Sequence, residues 1–189
     1  MVTPGEPHDP HPAAWTRGEL VISRAALAAV EEDALGAYAR EEEACGYLLG
    51  PADAPAVCDA HVAMPNLAKK LNQVDPERYF RSPKTFFAFN EKKFDDAVRA
   101  GAANGKPVKV LYHSHVDAGA YFSATDASVM SMGEPPAFEG GPAIMGAGPA
   151  WPLAFLVTSV VRRKIAEHRL FVWDGAARAF VPSSFKITD

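Results

Sequence analysis

Residues 110–126, VLYHSHVDAGAYFSATD, limit what this chain can fold into more than any other stretch. Residues 109–112 are apolar and β-branched enough to form a buried strand that leads into His113 and His115. On a strand, positions i and i+2 face the same side, so the two imidazoles converge on one point while Ser114 faces the other way. After seven intervening residues comes Ser123, and Asp126 completes a Ser-x-x-Asp string. That string is a capping box, in which Ser123 caps a helix and Asp126 lies in its first turn. The two readings are compatible, because the cap fixes the turn that would present Asp126 as a third ligand beside His113 and His115. Three protein ligands leave a fourth position open for water, which is the arrangement of a catalytic zinc rather than a structural one. Imidazole and carboxylate suit Zn2+ without excluding iron or manganese.

Composition narrows the rest. A length of 189 residues with 48% hydrophobic content fits one domain with a sizeable core. A net charge of −4 and the lack of a long Lys/Arg block argue against nucleic acid or an anionic membrane as the partner. No apolar run is long enough to span a bilayer, and no charged segment followed by an apolar one marks a secretory signal, so the expected location is the cytoplasm. Cys45 and Cys58 make neither a disulfide framework nor a Cys-x-x-Cys site, and Cys45 reads as a buried thiol in an apolar strand.

Taken in order, residues 1–17 carry Pro4, Pro7, Pro10 and Pro12 and are expected to be a disordered tail, with His8 and His11 remote from the metal. Residues 18–189 form the single domain. A short strand at 19–22 leads to Ser23, which caps a helix running to about Ala39 with Leu27, Val30, Ala34 and Tyr38 on one face. Strands are expected at 45–49 and 56–63, the latter holding His61 as a sheet residue. A long polar connection follows from Met64 to about Lys84. A strand at 85–89 precedes a helix at 91–104 capped by Asn90 and ended by Asn104-Gly105. The Gly/Pro-rich residues 133–150 read as a lid, a partner-binding flap or a plain insertion, and not as a phosphate loop. A central strand at 153–161 and a hairpin of 169–173 with 179–182 close the chain, with His168 on an exposed edge.

The whole string His-Ser-His, seven residues, Ser-x-x-Asp resembles the signature of the JAB/MPN+ metallopeptidases, also called JAMM. That family adds an upstream Glu in a Glu-x-Cys-Gly-hydrophobic segment, which residues 43–50, EACGYLLG, match. The resemblance spans roughly residues 19–182 and implies an α/β fold: an α/β/α sandwich around a mixed, mostly antiparallel sheet, of cytidine-deaminase-like architecture. It makes Glu43 the general base, Ser123 an oxyanion donor, and His113, His115 and Asp126 the Zn2+ ligands. It further implies cleavage of a peptide or isopeptide bond at the C-terminus of a ubiquitin-like or sulfur-carrier protein, which becomes the expected partner. Asn66 matches a frequent family position. Two positions depart from the pattern: Val116 then Asp117 stand where a Pro often follows the second His, and Glu41 stands where the Glu segment often begins with Pro.

The chemistry this implies is metal-assisted amide hydrolysis, with the ion activating water and Glu43 moving its proton to the leaving amine. A Ser123 hydroxyl aimed at the oxyanion is the kind of donor worth about 2.7–4 kcal/mol in a comparable hole. No Ser-His-Asp ordering or Cys-His pair competes, and the His-x-Glu and Cys-x-x-Cys elements of a nucleobase deaminase are absent. The alternatives are a non-catalytic scaffold of the same fold and a zinc amidohydrolase acting on small or cell-wall peptides.

Overall fold

The computed structural model describes residues 13–189, so His8 and His11 fall outside it. Strand β1 (Leu20–Ser23) runs into helix α1 (Arg24–Ala39), where the Ser23 hydroxyl accepts a hydrogen bond from Ala26 N at 3.1 Å. That cap satisfies one of the donors a helix start leaves open. β2 (Cys45–Leu49), β3 (Val57–Cys58), β4 (Ala60–Met64) and the short α2 (Ala68–Val74) follow. Next come α3 (Glu91–Ala103), capped by Asn90 as expected, β5 (Val108–Val116) and α4 (Ala124–Met130). The chain ends with β6 (Ala154–Val161), β7 (Lys164–Asp174), β8 (Ala179–Ser183) and β9 (Phe185–Thr188).

The main sheet has the order β4-β2-β5-β6-β7-β8, antiparallel throughout except for the parallel pair β5/β6. Parallel neighbours need a long crossover, and α4 with residues 131–153 supplies it. α1 covers one face with Ala26, Leu27, Val30, Ala34 and Ala37 against Val110, Tyr112, Leu156 and Leu170. The other face packs Leu111, Phe155, Val157 and Phe171 beneath Phe94 of α3 and Met130 of α4. A mixed, mostly antiparallel sheet between helical layers is therefore what the chain forms. A second sheet, β3-β1-β9, is parallel and brings the C-terminal strand onto the first.

Several sequence expectations change. The single strand at 56–63 is two strands in different sheets, broken at Asp59, whose N–H donates to Leu49 O at 3.1 Å. Residues 85–89 join no sheet ladder; Asn66 instead takes their backbone groups, donating to Phe86 O at 3.1 Å and accepting from Ala88 N at 3.2 Å. His168 lies in β7, which continues back to Lys164, and β8 pairs only with Leu170–Asp174; His168 is nevertheless half-buried rather than exposed. Its ring bridges Thr158 Oγ1 and Glu31 Oε1, both at 3.0 Å. The end of the expected tail is folded as well: Ala14–Arg17 make a 3-10 turn, and Trp15 Nε1 donates to Pro152 O at 2.8 Å. Residues 133–150 are pinned at their base, where Glu134 and Ile144 exchange backbone hydrogen bonds and Ser131 Oγ accepts from Gly146 N.

Both cysteines are buried free thiols. Burial pushes each up to about 12, with the charges of Asp33 and Glu43 adding at Cys45 and Lys109 opposing the rise at Cys58. At pH 8 a thiol of pKa about 12 is roughly one part in ten thousand thiolate, and thiolate is the reactive form. The native protein should therefore leave dithionitrobenzoate unreacted over minutes and yield both thiols in guanidinium. Rapid colour from the native chain would contradict this placement.

Candidate metal centre

β5 is buried along its whole length and lies between β2 and β6, so His113 and His115 are held from both sides. His113 stands opposite Cys45 and beside Val157, and His115 stands beside Ser159. Strand alternation sends both imidazoles to one face, as the spacing predicts. Asp126 arrives from the first turn of α4 through the expected capping box, with Ser123 Oγ accepting from Asp126 N at 3.0 Å.

The three side chains meet. The two Nε2 atoms are 3.2 Å apart, and Asp126 Oδ2 is 3.3 Å from His113 Nε2 and 3.7 Å from His115 Nε2. All three residues are buried. His115 Nδ1 lies 2.7 Å from Gly119 O, a carbonyl that only a protonated Nδ1 can satisfy, and this assignment leaves the Nε2 lone pair aimed at the cluster. Phe87 stacks on His113 at 4.5 Å between centroids, and Tyr121 meets His115 edge-on at 4.9 Å. Phe122 lies 6.0 Å from His113 between centroids and packs into the core against Phe155, Phe171 and Phe180.

Burial by itself would raise the Asp126 carboxyl, but His113, then His115 and the Ser123 hydroxyl, outweigh it and hold the group well below the usual carboxylate range. A buried carboxylate facing two ring nitrogens is an electron-rich set whose natural complement is a cation. The donor set fits a divalent ion, and among the described residues these three are the group of His, Cys and acidic side chains close enough to hold one.

Glu43 is buried at the entrance to β2. Burial pushes its carboxyl well above the ordinary value, and the negative charge of Asp126 adds to the rise. Its backbone is fixed on both sides, since Glu43 N donates to Pro83 O at 2.7 Å and Asn66 Nδ2 donates to Glu43 O at 3.0 Å. Ser114, facing away from the ligands, holds the next residue: Ala44 N donates to Ser114 Oγ at 2.8 Å and Ser114 N to Ala44 O at 3.0 Å. Strand β5 thus carries two ligands on one face and positions Glu43 through the other.

Ser123, expected as an oxyanion donor, lies against Asp126. Its hydroxyl lies 2.5 Å from Asp126 Oδ2 and orients that carboxylate. Asn66 proves central, with both amide hydrogens and its carbonyl in use, the latter also accepting from Ala68 N at 2.9 Å. A lone Asn in a loop carries no local signal of this role, and neither Phe87 nor Gly119 could be placed from spacing.

One departure from the family pattern has a direct structural reason, and the residue after the other has a role of its own. Glu41 has φ 57°, which proline, locked near −65°, cannot adopt. Asp117, at φ 53°, accepts from Tyr38 Oη at 2.9 Å and from Arg162 N at 3.0 Å, tying the end of β5 to α1 and to the β6–β7 turn.

The model of the prokaryotic homologs of the JAB domain matches residues 24–168. No curated protein matches the chain with significance. Among solved structures, a protein from Desulfitobacterium hafniense is 18% identical with a TM-score of 0.60, covering 90% of this chain and 93% of its own. A protein from Salinibacter ruber is 20% identical with a TM-score of 0.53, over 90% of this chain and 92% of its own. A JAB1/MPN domain protein from Archaeoglobus fulgidus is 14% identical with a TM-score of 0.48, over 89% and 97%. At these identities the likeness to the first two is one of fold alone. With the domain match spanning both the Glu43 segment and the His113–His115–Asp126 cluster, the chain belongs to the family of prokaryotic JAB-domain homologs.

Proposed function

We propose that this protein is a zinc-dependent hydrolase of amide bonds, and that its substrate is the C-terminal segment of a ubiquitin-like or sulfur-carrier protein. The observation that carries the hydrolase reading is the convergence of two buried Nε2 atoms and one carboxylate oxygen within 3.2–3.7 Å. Family membership supports it, and the substrate class rests on the family resemblance. His113, His115 and Asp126 would hold the ion, which when bound polarises an amide carbonyl and makes a water acidic enough to attack near neutral pH.

The remaining work falls to the protein. Glu43, an acid with a raised proton affinity, takes a proton from the attacking water and delivers it to the leaving amine nitrogen. Asn66 and Ser114 keep that carboxyl at its station through the backbone on either side of it. Ser123 orients Asp126 through its hydroxyl, and the same hydroxyl would be the donor to the oxyanion. Among the described residues no helix is long and apolar enough to cross a membrane.

The test is elemental analysis of protein purified without chelator or tag-derived metal, beside Asp126→Ala and His115→Ala. The parent should carry a single equivalent of zinc and both variants should lose it. The zinc-loaded parent should then shorten or release a ubiquitin-like carrier in a mass-spectrometric assay. Failure to take up metal when zinc is supplied would sink the hydrolase reading and leave an interaction domain of the same fold.

A further inference from the structure

A groove of about 1030 Å³ runs between residues 77–91 and the 129–151 segment. Its walls are mostly aromatic and apolar, including Phe80, Phe86, Phe89, Trp151 and Pro136. It adjoins the metal centre through two residues: Phe87, which lines the groove and stacks on His113, and Met130, one turn along α4 from Asp126. Within this apolar lining sits a guanidinium, that of Arg81.

Arg81 is half-buried, and its orientation is set twice. The guanidinium carbon lies 4.5 Å over the Phe80 ring, and Nη2 donates to Pro136 O at 3.3 Å. Among the described residues it makes no ion pair, so one carbonyl engages a group with five N–H donors. Burial lowers its pKa, while the charges of Asp126 first and Glu139 second act the other way, which places it within electrostatic reach of the metal ligands. Arginine stays charged under such conditions. Glu77 and Glu91 also line the groove but are exposed. Arg78, the other arginine of the lining, is exposed too and lies over Tyr79.

A planar cation on an aromatic ring, in an apolar groove adjoining the candidate centre, suits a carboxylate or a phosphate, and of these a peptide's own end supplies the carboxylate. We propose that Arg81 receives the free carboxylate of the residue on the amine side of the scissile bond, so that the enzyme releases a C-terminal amino acid rather than cutting within a chain. This rests on the hydrolase reading above. Hydrolysis there breaks the amide C–N bond, joins the water oxygen to the acyl carbon and leaves the proton on the amine of the released amino acid. The aromatic lining takes the side chain of that residue, which favours a large apolar one.

The test compares acetyl-Gly-Gly-Phe bearing a free C-terminal carboxylate with its C-terminal carboxamide. Binding is measured by calorimetry on the zinc-supplied Glu43→Gln protein, in which the bound peptide persists, and turnover is measured on the parent. The free acid should bind at least about tenfold more tightly than the carboxamide, as expected for a charge-assisted fork. Arg81→Met, which keeps the stem on Phe80, should abolish that ratio while the carboxamide affinity and thermal midpoint stay near the parent's. Arg81→Lys should restore part of the ratio. Equal binding of the two peptides, no binding of either at millimolar concentration, or a ratio that survives Arg81→Met would overturn the assignment. The two readings fail separately: an Arg81-dependent ratio without turnover by the parent removes the hydrolase and leaves the carboxylate site, whereas equal turnover of both peptides does the reverse.

Discussion

Glu43→Gln should bind zinc as the parent does and lose hydrolysis by about 10²–10⁴-fold, the range for removing a general acid–base group. Glu43 is not among the three converging ligands, and glutamine keeps its shape while removing the proton it must carry. Burial favours the variant's folding, because a neutral amide replaces a carboxyl that already resists ionisation where it sits. The measurement is metal content together with single-turnover cleavage, since metal retention separates a lost proton carrier from a lost site. Cleavage at the parent's rate, or loss of zinc along with activity, would remove Glu43 from the role proposed for it.

Gly46→Ala should be heavily destabilising for so small a substitution. Gly46 pairs with Tyr112 across β2 and β5, and a methyl group there would collide with Tyr112 Oη and with the carbonyl of Val62 on β4. The carbonyl belongs to the sheet ladder and cannot withdraw. The hydroxyl is equally committed, donating to Asp33 Oδ2 at 2.6 Å and meeting His61 Nε2 at 2.7 Å. Overpacking of this kind costs about 1–3 kcal/mol, and displaced hydrogen bonds put the change at the upper end. For a domain of this size that corresponds to a fall of roughly 6–12 °C in Tm, measurable by circular dichroism. Combining it with Tyr112→Phe should recover only part of the loss, because the Val62 carbonyl remains. An unchanged midpoint in Gly46→Ala would show that the three strands do not approach as closely as described. The glycine of the Glu-x-Cys-Gly segment thus serves packing behind the site, in register with Tyr112, the residue before His113.

The features legible in the sequence are the local ones. Two-residue alternation in β5 and the Ser123–Asp126 capping box depend on neighbours within a few positions, so the convergence of His113, His115 and Asp126 could be expected from spacing. The caps at Ser23 and Asn90 were readable for the same reason. Glu43 was harder, because Glu41, Glu42 and Glu43 look alike in isolation. The pairing of Cys45 with His113 decides among them, and that pairing is a contact between distant parts of the chain.

What the tertiary structure alone decided shares one physical cause: the destination of backbone and buried polar groups that no local pattern reveals. Residues 85–89 have strand-like composition, yet Asn66 accepts and donates where a neighbouring strand would have. Arg162 and Arg163, with φ of 51° and 62°, make a tight turn without the glycine or asparagine that usually marks one, so β7 begins earlier than expected. Lys109 is fully buried within its strand, its ammonium donating to the carbonyls of Pro51, Ala54 and Val57 at 2.8 Å each. β9 pairs with β1 across nearly the whole chain. Sequence periodicity by itself determined which side chains face the candidate metal centre, because side-chain direction along a strand or helix turn is a local property. Which carboxyl stands beside them, and which arginine overlooks them, required the long-range pairings that satisfy buried hydrogen-bonding groups when the sheet closes.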